Sequence, residues 1–375
     1  MSRLAELIEE LCPDGVEYRP LGDVAELKRG QAVTRKEIVE GQIPVIAGGR
    51  EPAYYIDRPN RQGETIVIAG SGAYAGFVSF WNEPIFVSDA FSIVVDRGTL
   101  QPRFVYHWLN GMQEAIHALK SGGGVPHVYP KDVAKLRCPI PPLEVQREIV
   151  RILDQFTTLE AELEAELEAR RTQYEHYRNH LLSYESLADC GPVSLVPLRE
   201  CIELCFGERI TKTQHAGTLY PVYGGGGASF MTDSFNRADE FVISRFALSE
   251  ACVRFVSGEF WLLDSGITFN VNELCCDKRY VGQFLLSRQN DIYRRSAGAA
   301  QRNLKIAEFL SMEVPLPGLA EQRRIADLLD RFDALVNDIS SGLPAEIAAR
   351  RAQYEHYRDR LLSFPEKAAS GDDVP

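Results

Sequence analysis

The chain has 375 residues, a hydrophobic content of 45% and a formal net charge of −12. It is long enough for two or three domains with their own cores, and no run approaches the roughly 18 apolar residues that a membrane span needs. The first residues lack the charged-then-apolar pattern of a secretory signal, so we expect a cytoplasmic protein without membrane contact. The acidic total does not exclude DNA as a partner, because eight of the twelve excess negative charges fall in residues 143–187 and 319–375.

Residues 1–142 form a first segment of mixed character. β-Branched and aromatic runs at 65–68, 76–81 and 91–95 are separated by Gly, Pro and Asn, which predicts strands. A helical period predicts a helix over about 102–119. From residue 143 to about 184 apolar side chains recur three, four or seven positions apart without Gly or Pro, which predicts one helix roughly 60 Å long.

Residues 188–318 and 319–375 repeat this order. Gly30 matches Gly207, and residues 170–183 return as 350–363 with eleven of fourteen positions identical. We predict strands near 241–246, 252–257 and 267–271, and a helix from about 279 to 290. A repeat of this length decides the architecture, and the second long helix offers a partner for the apolar stripe of the first.

The two long helices differ in the middle. The second copy is four residues longer around 340–344, where Gly342 and Pro344 should break the helix before a new start. The first copy carries a four-residue Leu-Glu-Ala-Glu unit repeated nearly three times over 159–169. This run is either a solvated acidic face or a length adjuster, in which each unit adds about 6 Å and 40° of rotation.

Recognisable catalytic chemistry is missing from the sequence. The glycines at 48–49 and 224–227 lack the Lys-Ser/Thr of a P-loop, so we interpret them as turns or close-approach sites rather than phosphate cradles. The eight cysteines form no C-x-x-C pair and are expected to be reduced thiols rather than zinc ligands or disulfides. No metal-binding His/Cys cluster and no methyltransferase motif is present. We therefore expect no catalytic residues and no metal site.

With the repeat and the long helices, the chain resembles the specificity subunit of type I restriction-modification systems over nearly its whole length. The most specific elements are the Pro-x-Pro-x-Leu-x-x-Gln-x-x-Ile pattern at 139–149 and again at 315–325, and the Arg-Arg-x-Gln-Tyr-Glu-x-Tyr-Arg-x-x-Leu-Leu pattern closing both helices. The resemblance implies an α+β fold with a pseudo-two-fold internal repeat. Two target-recognition domains of mixed β-sheet and helices, 1–142 and 188–318, are separated by a pair of long antiparallel helices, the central spacer at 143–187 and the distal spacer with the C-terminal tail at 319–375.

The resemblance also implies the function. Each recognition domain would read one half of an asymmetric, bipartite target in double-stranded DNA, while the helices set the spacer and dock two methyltransferase (modification) subunits. Restriction/translocase subunits would complete the complex. S-adenosylmethionine, ATP and Mg would be bound by those partners, so we expect no cofactor on this chain.

Candidate DNA contacts are basic, aromatic and amide side chains in loops between strands. In the first domain they are Lys28, Arg29, Arg35, Lys36, Arg50, Tyr54, Tyr55, Arg58, Arg61, His127, Tyr129 and Lys131. In the second domain they are Arg209, Lys212, Tyr223, Arg245, Gln301, Arg302, Asn303 and Lys305. For helix pairing or partner docking the candidates are Tyr174, Tyr177, Tyr354 and Tyr357. Any one of the basic residues could be an ordinary solvated charge, but the set recurs at equivalent points of both halves.

Two other functions compete with DNA recognition. A structural or interaction protein could carry two sugar- or peptide-binding heads on its helical spacer, which predicts no duplex binding and fits the acidic total. A self-sufficient DNA enzyme would need a methyltransferase or nuclease motif that the sequence lacks.

If the acidic run is a length adjuster, deleting one Leu-Glu-Ala-Glu unit should shorten the tolerated spacer between half-sites by about one or two base pairs. Binding to duplexes with graded spacers measures this change. Both half-site sequences should remain the same, and an altered half-site preference would contradict the hypothesis.

Overall fold

A computed structural model of the chain describes residues 3–33, 39–122, 124–298, 302–337 and 342–368. It divides into two compact units, one of Met1–Leu163 with Ile347–Pro375 and one of Glu164–Glu346. We call these unit 1 and unit 2. The predicted α+β architecture with two similar mixed-sheet halves and a long helix between them is confirmed. Within the described ranges, no helix is both long enough and apolar enough to cross a membrane.

The elements of unit 1 begin with a helix and continue with short strands. In chain order they are α1 Arg3–Leu11, β1 Glu17–Pro20, α2 Leu21–Val24, β2 Ala25–Arg29, β3 Ile43–Ile46, β4 Tyr54–Ile56, β5 Thr65–Ala69, β6 Val78–Trp81, β7 Phe86–Val87, β8 Ala90–Val95, α3 Pro102–Gly111, α4 Gln113–Ala118, α5 Pro130–Val133, β9 Arg137–Ile140 and the first part of α6 Leu143–Leu181. The described strands pair as β2-β8-β5-β6, β4-β3-β7 and β1-β9.

Unit 2 repeats that order with small changes. After the remainder of α6 come α7 Tyr184–Cys190, β10 Ser194–Pro197, α8 Leu198–Cys201, β11 Ile202–Phe206, α9 Lys212–His215, β12 Tyr220–Tyr223, β13 Ala228–Thr232, β14 Arg237–Ser244, β15 Val253–Leu262, β16 Gly266–Val271, α10 Lys278–Ser287, α11 Gln289–Arg294, β17 Ser296–Ala297, β18 Asn303–Leu304, α12 Ile306–Leu310, β19 Glu313–Leu316, α13 Leu319–Asn337 and α14 Leu343–Leu361, most of which belongs to unit 1. The described strands pair as β11-β16-β14-β15-β12-β13, β10-β19 and β17-β18.

The sheets of the two units differ at one strand. β15 runs unbroken and pairs with β14 and β12, whereas the corresponding stretch of unit 1 is divided into β6 and β7, which belong to separate sheets. Pro84 lies in the gap between β6 and β7 and has no N–H to donate to a ladder. The one sheet of unit 2 thus corresponds to two sheets in unit 1, which are separated at the gap that contains Pro84.

The predicted helices differ from the observed ones mainly at their ends. The long helix α6 ends at Leu181, because the hydroxyl of Ser183 accepts a hydrogen bond from the Ser186 N–H and begins a new helix. The helix predicted over 102–119 is two helices that meet at Met112. The predicted break in the second long helix falls between α13 and α14, and residues 338–341 lie outside the described part of the chain.

A matched pair of glycines brings two chain segments together in each unit. A Cβ on Gly30 would lie 2.0 Å from the Ser88 carbonyl oxygen, and one on Gly207 would lie 2.1 Å from that of Leu263. No larger residue fits at either position without moving the backbone. The repeated glycine is thus a packing requirement in both units.

In each unit, one buried glutamine fastens the start of a long helix to the domain before it. The Gln146 amide nitrogen donates to the carbonyls of Thr99 (2.7 Å) and Pro141 (2.8 Å), and its oxygen accepts from the Gln101 N–H (2.8 Å). Its side chain is fully buried. This glutamine is the one in the first Pro-x-Pro-x-Leu-x-x-Gln-x-x-Ile motif.

The second motif makes the same three contacts. The Gln322 amide nitrogen donates to the carbonyls of Cys275 (2.9 Å) and Pro317 (2.8 Å), and its oxygen accepts from the Asp277 N–H (2.9 Å). We call each set of three bonds a glutamine clamp. The duplicated motif therefore encodes a duplicated attachment of helix to domain.

Replacing Gln146 with Leu should lower the free energy of unfolding by about 3 kcal/mol or more, because it leaves one N–H and two carbonyls without their partner. Gln322→Leu should cost a similar amount in unit 2. Denaturant titration of the full chain, read by hydrogen exchange in each unit, measures both. Arg147→Ala, a neighbouring change at an exposed position, is the control and should cost less than about 0.5 kcal/mol. Equal effects of the Gln146 and Arg147 variants would contradict the importance of the clamp.

Candidate nucleic-acid interface

In unit 1 the ends of three strands and one loop meet to form a cleft. The Gly30 N–H donates to the Ala90 carbonyl (2.8 Å), the Gly70 N–H to that of Asp89 (3.2 Å), and the Val128 N–H to that of Gly70 (3.0 Å). We call the segments 29–30, 70–71, 88–90 and 127–131 strand-end surface 1. Most of these residues line a cavity of about 400 Å³.

The side chains of strand-end surface 1 combine charge, hydrogen-bonding groups and aromatic rings. Arg29 and Asp89 are exposed on it, and Ser71 donates its hydroxyl to the Asp89 carboxylate. The rings of His127 and Tyr129 are stacked, with centroids 6.0 Å apart and planes 17° apart. Arginine, serine, histidine and tyrosine are residue types that contact the bases or phosphates of nucleic acids, and the carboxylate of Asp89 is a hydrogen-bond acceptor.

Two further predicted residues lie close to this surface. The Lys131 ammonium is 5.7 Å from the centre of the Tyr129 ring. The Arg50 guanidinium lies over Tyr74, 5.0 Å from the ring centre, in a turn whose Gly48 approaches the Ser71 carbonyl. The structure thus brings Arg29, Arg50, His127, Tyr129 and Lys131 to one region.

Unit 2 forms the same arrangement from equivalent backbone bonds. The Gly207 N–H donates to the Gly266 carbonyl (3.2 Å), the Arg245 N–H to that of Ser265 (2.9 Å), and the Leu304 N–H to that of Arg245 (2.9 Å). These bonds match the three of unit 1 one for one. We call the segments 206–207, 245–246, 264–266 and 303–305 strand-end surface 2.

The side chains of strand-end surface 2 are different. The Arg245 guanidinium is held between Phe206 and Phe246, 5.0 and 4.7 Å from their ring centres. Asn303 is exposed where unit 1 has His127, and Lys305 is paired with Glu308 at 2.7 Å. The two surfaces therefore share a backbone and present different chemistry.

Seven predicted contacts lie outside the two surfaces. The exposed Lys28 ammonium pairs with Glu26 at 2.9 Å. Tyr223 is half-buried against Phe260, with ring centroids 5.5 Å apart. The remaining five lie in β4 and the segment after it, or in the segment after β11 and α9, and all are exposed except the half-buried Tyr54: Tyr54, Tyr55, Arg58, Arg209 and Lys212.

The structure requires a correction for Arg61, whose guanidinium is bound to the protein rather than presented to a ligand. It donates to the Ser92 hydroxyl (2.7 Å), the Asn60 carbonyl (2.8 Å) and the Arg29 carbonyl (3.0 Å). Burial lowers the pKa of this guanidinium. Arg237 makes the equivalent bonds in unit 2. Each of these two arginines, which lie 176 positions apart, donates to the carbonyl at the end of a strand and so stabilises that strand end.

Arg302 requires the same correction. Its guanidinium donates to the Ser296 hydroxyl (2.8 Å) and carbonyl (3.0 Å) and lies 4.4 Å from the Tyr293 ring centre. We therefore leave Arg61 and Arg302 out of the proposed interface. Three other predicted residues, Arg35, Lys36 and Gln301, lie outside the described residues.

Sequence reasoning missed three residues that shape the surfaces. Ser71 and Asp89 meet only through tertiary pairing, so no local signal marks them. Arg254 donates to the carbonyls of Gly225 and Gly226 and supports the glycine-rich turn, and burial lowers the pKa of its guanidinium. Arg254 lies in a strand, and the sequence pattern there does not indicate that its side chain binds backbone carbonyls.

Comparison with known sequences identifies the family. The sequence profile described as "Type I restriction modification DNA specificity domain" matches residues 13–169 and 232–349, which together are more than half of the chain. The chain belongs to the type I restriction-modification DNA specificity family. A putative type I restriction enzyme specificity subunit of Haemophilus influenzae is 30% identical over 393 aligned positions, covering 93% of this chain and 96% of that protein. The EcoR124I/EcoR124II specificity subunit of Escherichia coli is 29% identical, covering 70% of this chain and 71% of that protein.

Solved structures support the fold of a type I specificity protein. The chain is similar to the crystal structure of a type I restriction-modification S subunit from M. genitalium, with a TM-score of 0.64 at 18% identity, covering 93% of this chain and 96% of that one. A second structure, from a study of complex assembly and conformational transition of a type I system, gives a TM-score of 0.54 at 16% identity and covers 93% and 98%. At these identities the likeness concerns the fold alone.

Within this specificity fold, Tyr354 lies in a buried polar cluster of unit 1. The ring of His107 has one nitrogen 2.9 Å from the Tyr354 hydroxyl and the other 2.8 Å from the Asp154 carboxylate. Arg103 donates to the same carboxylate at 2.7 Å. The cluster joins a helix of the recognition domain to both long helices.

Tyr174 occupies the equivalent place in unit 2, with Gln283 instead of histidine. The Tyr174 hydroxyl donates to the Gln283 amide oxygen (3.2 Å), and the amide nitrogen donates to Asp330 (3.1 Å). Arg279 donates to Asp330 at 3.0 Å. A neutral imidazole that donates from Nε2 and accepts at Nδ1 reproduces both bonds of this amide.

The electrostatics agree with a neutral His107. Burial lowers the pKa of its imidazole, and the hydrogen bond to Asp154 opposes this only in part. Burial also resists ionisation of Asp154, but the hydrogen bonds from His107 and Arg103 prevail and lower the pKa of its carboxyl. Burial raises the pKa of the Tyr174 hydroxyl to about 12, so this hydroxyl stays a donor.

The other two predicted tyrosines stack on aromatic rings of the partner helix. Tyr357 stacks on Phe156 with centroids 5.3 Å apart, and Tyr177 stacks on Phe332 at 6.3 Å. Both tyrosines remain partly exposed, at 37% and 41%. Their position suits helix pairing and leaves an edge of each ring open. Within the described ranges, no group of three or more His, Cys, Asp or Glu residues is placed to hold a metal ion.

His107 should make the stability of unit 1 depend on pH. Because its folded pKa is lowered, the unfolded chain takes up a proton first, and stability should fall as the pH drops below about 6.5. His107→Gln should reduce this loss between pH 7.5 and 5.5 while keeping both hydrogen bonds, and the remaining loss is that of His117, whose pKa burial also lowers. Thermal unfolding across that range measures it, with Gln283→His as the reciprocal variant that should acquire the dependence. The same pH profile in His107→Gln and wild type would contradict a neutral imidazole in this role.

Proposed function

We propose that this chain is the non-catalytic DNA-recognition subunit of a type I restriction-modification complex. Each unit reads one half of an asymmetric, bipartite sequence in double-stranded DNA. Its membership of the specificity family and the duplicated strand-end surfaces support this proposal. The DNA-contacting residues are the accessible side chains of those surfaces, with the exposed Arg29 and the half-buried Arg245 as the principal cations.

One observation carries the proposal: the two surfaces have matched backbone bonds but unmatched side chains. A bipartite reader needs a fixed frame so that both domains approach DNA alike, and it needs different groups at equivalent points so that the half-sites differ. Asp89 corresponds to Ser265, His127 to Asn303, and Gly70 to Arg245. A symmetric target would require similar chemistry at these positions.

The remaining activities belong to partners. Two methyltransferase subunits would dock on the long helices, where partly exposed rings such as Tyr177 and Tyr357 offer contact area. Restriction/translocase subunits would join that complex. S-adenosylmethionine, ATP and Mg would be held by those subunits, since this chain shows no motif for them in its sequence.

Exchanging residues 188–318 for those of a relative with a different target should change one half-site and leave the other and the spacer unaltered. The full chain with its methyltransferase partner can be tested on duplex libraries, with genome-wide mapping of methylated adenines as a second readout. A change in both half-sites would contradict independent reading. Absence of any sequence-specific duplex binding by the wild-type complex would overturn the proposed function and favour a protein with heads for other ligands.

A further inference from the structure

Strand-end surface 1 contains a carboxylate where a DNA-binding surface would be expected to avoid one. Asp89 is exposed on it, among residues that line the cavity with Arg29 and the stacked pair His127 and Tyr129. A bare carboxylate near the phosphate backbone is repelled by it. Such a group is compatible with binding only if it faces a hydrogen-bond donor.

Asp89 is fixed in place rather than free to turn away. Its carbonyl accepts from the Gly70 N–H (3.2 Å), and the N–H of the preceding residue, Ser88, donates to the Ile46 carbonyl (2.8 Å). The Ser71 hydroxyl donates to Oδ2 of its carboxylate. In the described part of the chain, Oδ1 has no hydrogen-bond partner and Arg29 makes no ion pair with it. One oxygen is therefore held, and the other remains available as an acceptor.

The equivalent residue in unit 2 does not offer this group. Ser265 has the matching backbone bond from Arg245, and its hydroxyl accepts from the Gly225 N–H at 3.3 Å. The backbone frame is conserved between the units, and the carboxylate is not. At this point of the backbone frame the acid is therefore specific to unit 1, and the carboxylate of strand-end surface 2 lies one residue earlier, on the half-buried Asp264.

An ionised carboxylate only accepts hydrogen bonds. In the major groove guanine presents two acceptors, thymine an acceptor and a methyl group, and adenine an acceptor beside its amino group, whereas cytosine presents its N4 amino donor. Resting on the proposed function, we infer that Asp89 is a specificity-determining residue that accepts a hydrogen bond from the N4 amino group of a cytosine in the half-site read by unit 1. Ser71 is a positioning residue that orients the carboxylate.

The test uses the full chain with its methyltransferase partner and duplexes carrying the mapped target. Each cytosine of the unit 1 half-site is replaced in turn by 2-pyrimidinone, which lacks the amino group. At one position the wild-type complex should lose about 5- to 150-fold in affinity. Asp89→Ala should lose a similar amount on the natural duplex and nothing more on that substituted duplex, because the two changes remove the same bond.

Asp89→Asn gives a second, conservative variant. It can keep the bond from Ser71 and should lower the preference for cytosine over adenine at that one position, since an amide can pair with adenine. Glu83→Ala removes an exposed carboxylate elsewhere in the same unit and should leave all preferences unchanged. Retained discrimination at the other positions of the unit 1 half-site shows that unit 1 of each variant is folded.

The outcomes separate the inference from the function on which it rests. If Asp89→Ala binds the natural duplex like wild type, or if its loss multiplies with that of every cytosine replacement, the inference is wrong while recognition by unit 1 stands. If the wild-type complex shows no sequence preference at all, the proposed function itself fails.

Discussion

The glutamine clamp is the constraint on which the rest of each unit depends. A buried amide has two donors and one oxygen with two lone pairs, and in Gln146 and Gln322 this capacity is used on three backbone groups of two chain segments. An unpaired amide at that depth would be strongly unfavourable. The start of each long helix is therefore attached to its domain by three hydrogen bonds that no other side chain of the same size can make. The side chains at the strand ends are under no such constraint.

Repetition in this molecule conserves bonds more strictly than residues. His107 and Gln283 differ in sequence, yet each accepts from a tyrosine and donates to an aspartate. The pairs Asn60–Arg61 and Asn236–Arg237 keep both identity and bonding. At the strand ends only the backbone hydrogen bonds are shared between the two units. The side chains there differ, as they must in a protein that reads two different half-sites.

Hydrophobic periodicity and the internal repeat predicted much of the architecture because both can be read directly from the amino-acid sequence. The helix Leu143–Leu181 and the correspondence of Gly30 with Gly207 followed from such patterns. Positions such as Asp89 did not, since it meets Ser71 only when β5 and β8 are paired. Charge alone was misleading for Arg61 and Arg302, because nothing in the sequence reveals the carbonyls that surround each guanidinium.

The boundary between the units falls within the long helices, so the residues after 346 complete unit 1. Leu362 and Phe364 belong to the core of unit 1, and the Pro365 carbonyl and Lys367 N–H bond to Val16. A premature stop codon after residue 346 would therefore remove part of the core of unit 1, whereas unit 2 would keep all of its own residues. During synthesis, unit 1 cannot finish folding until residues 347–367 have been translated.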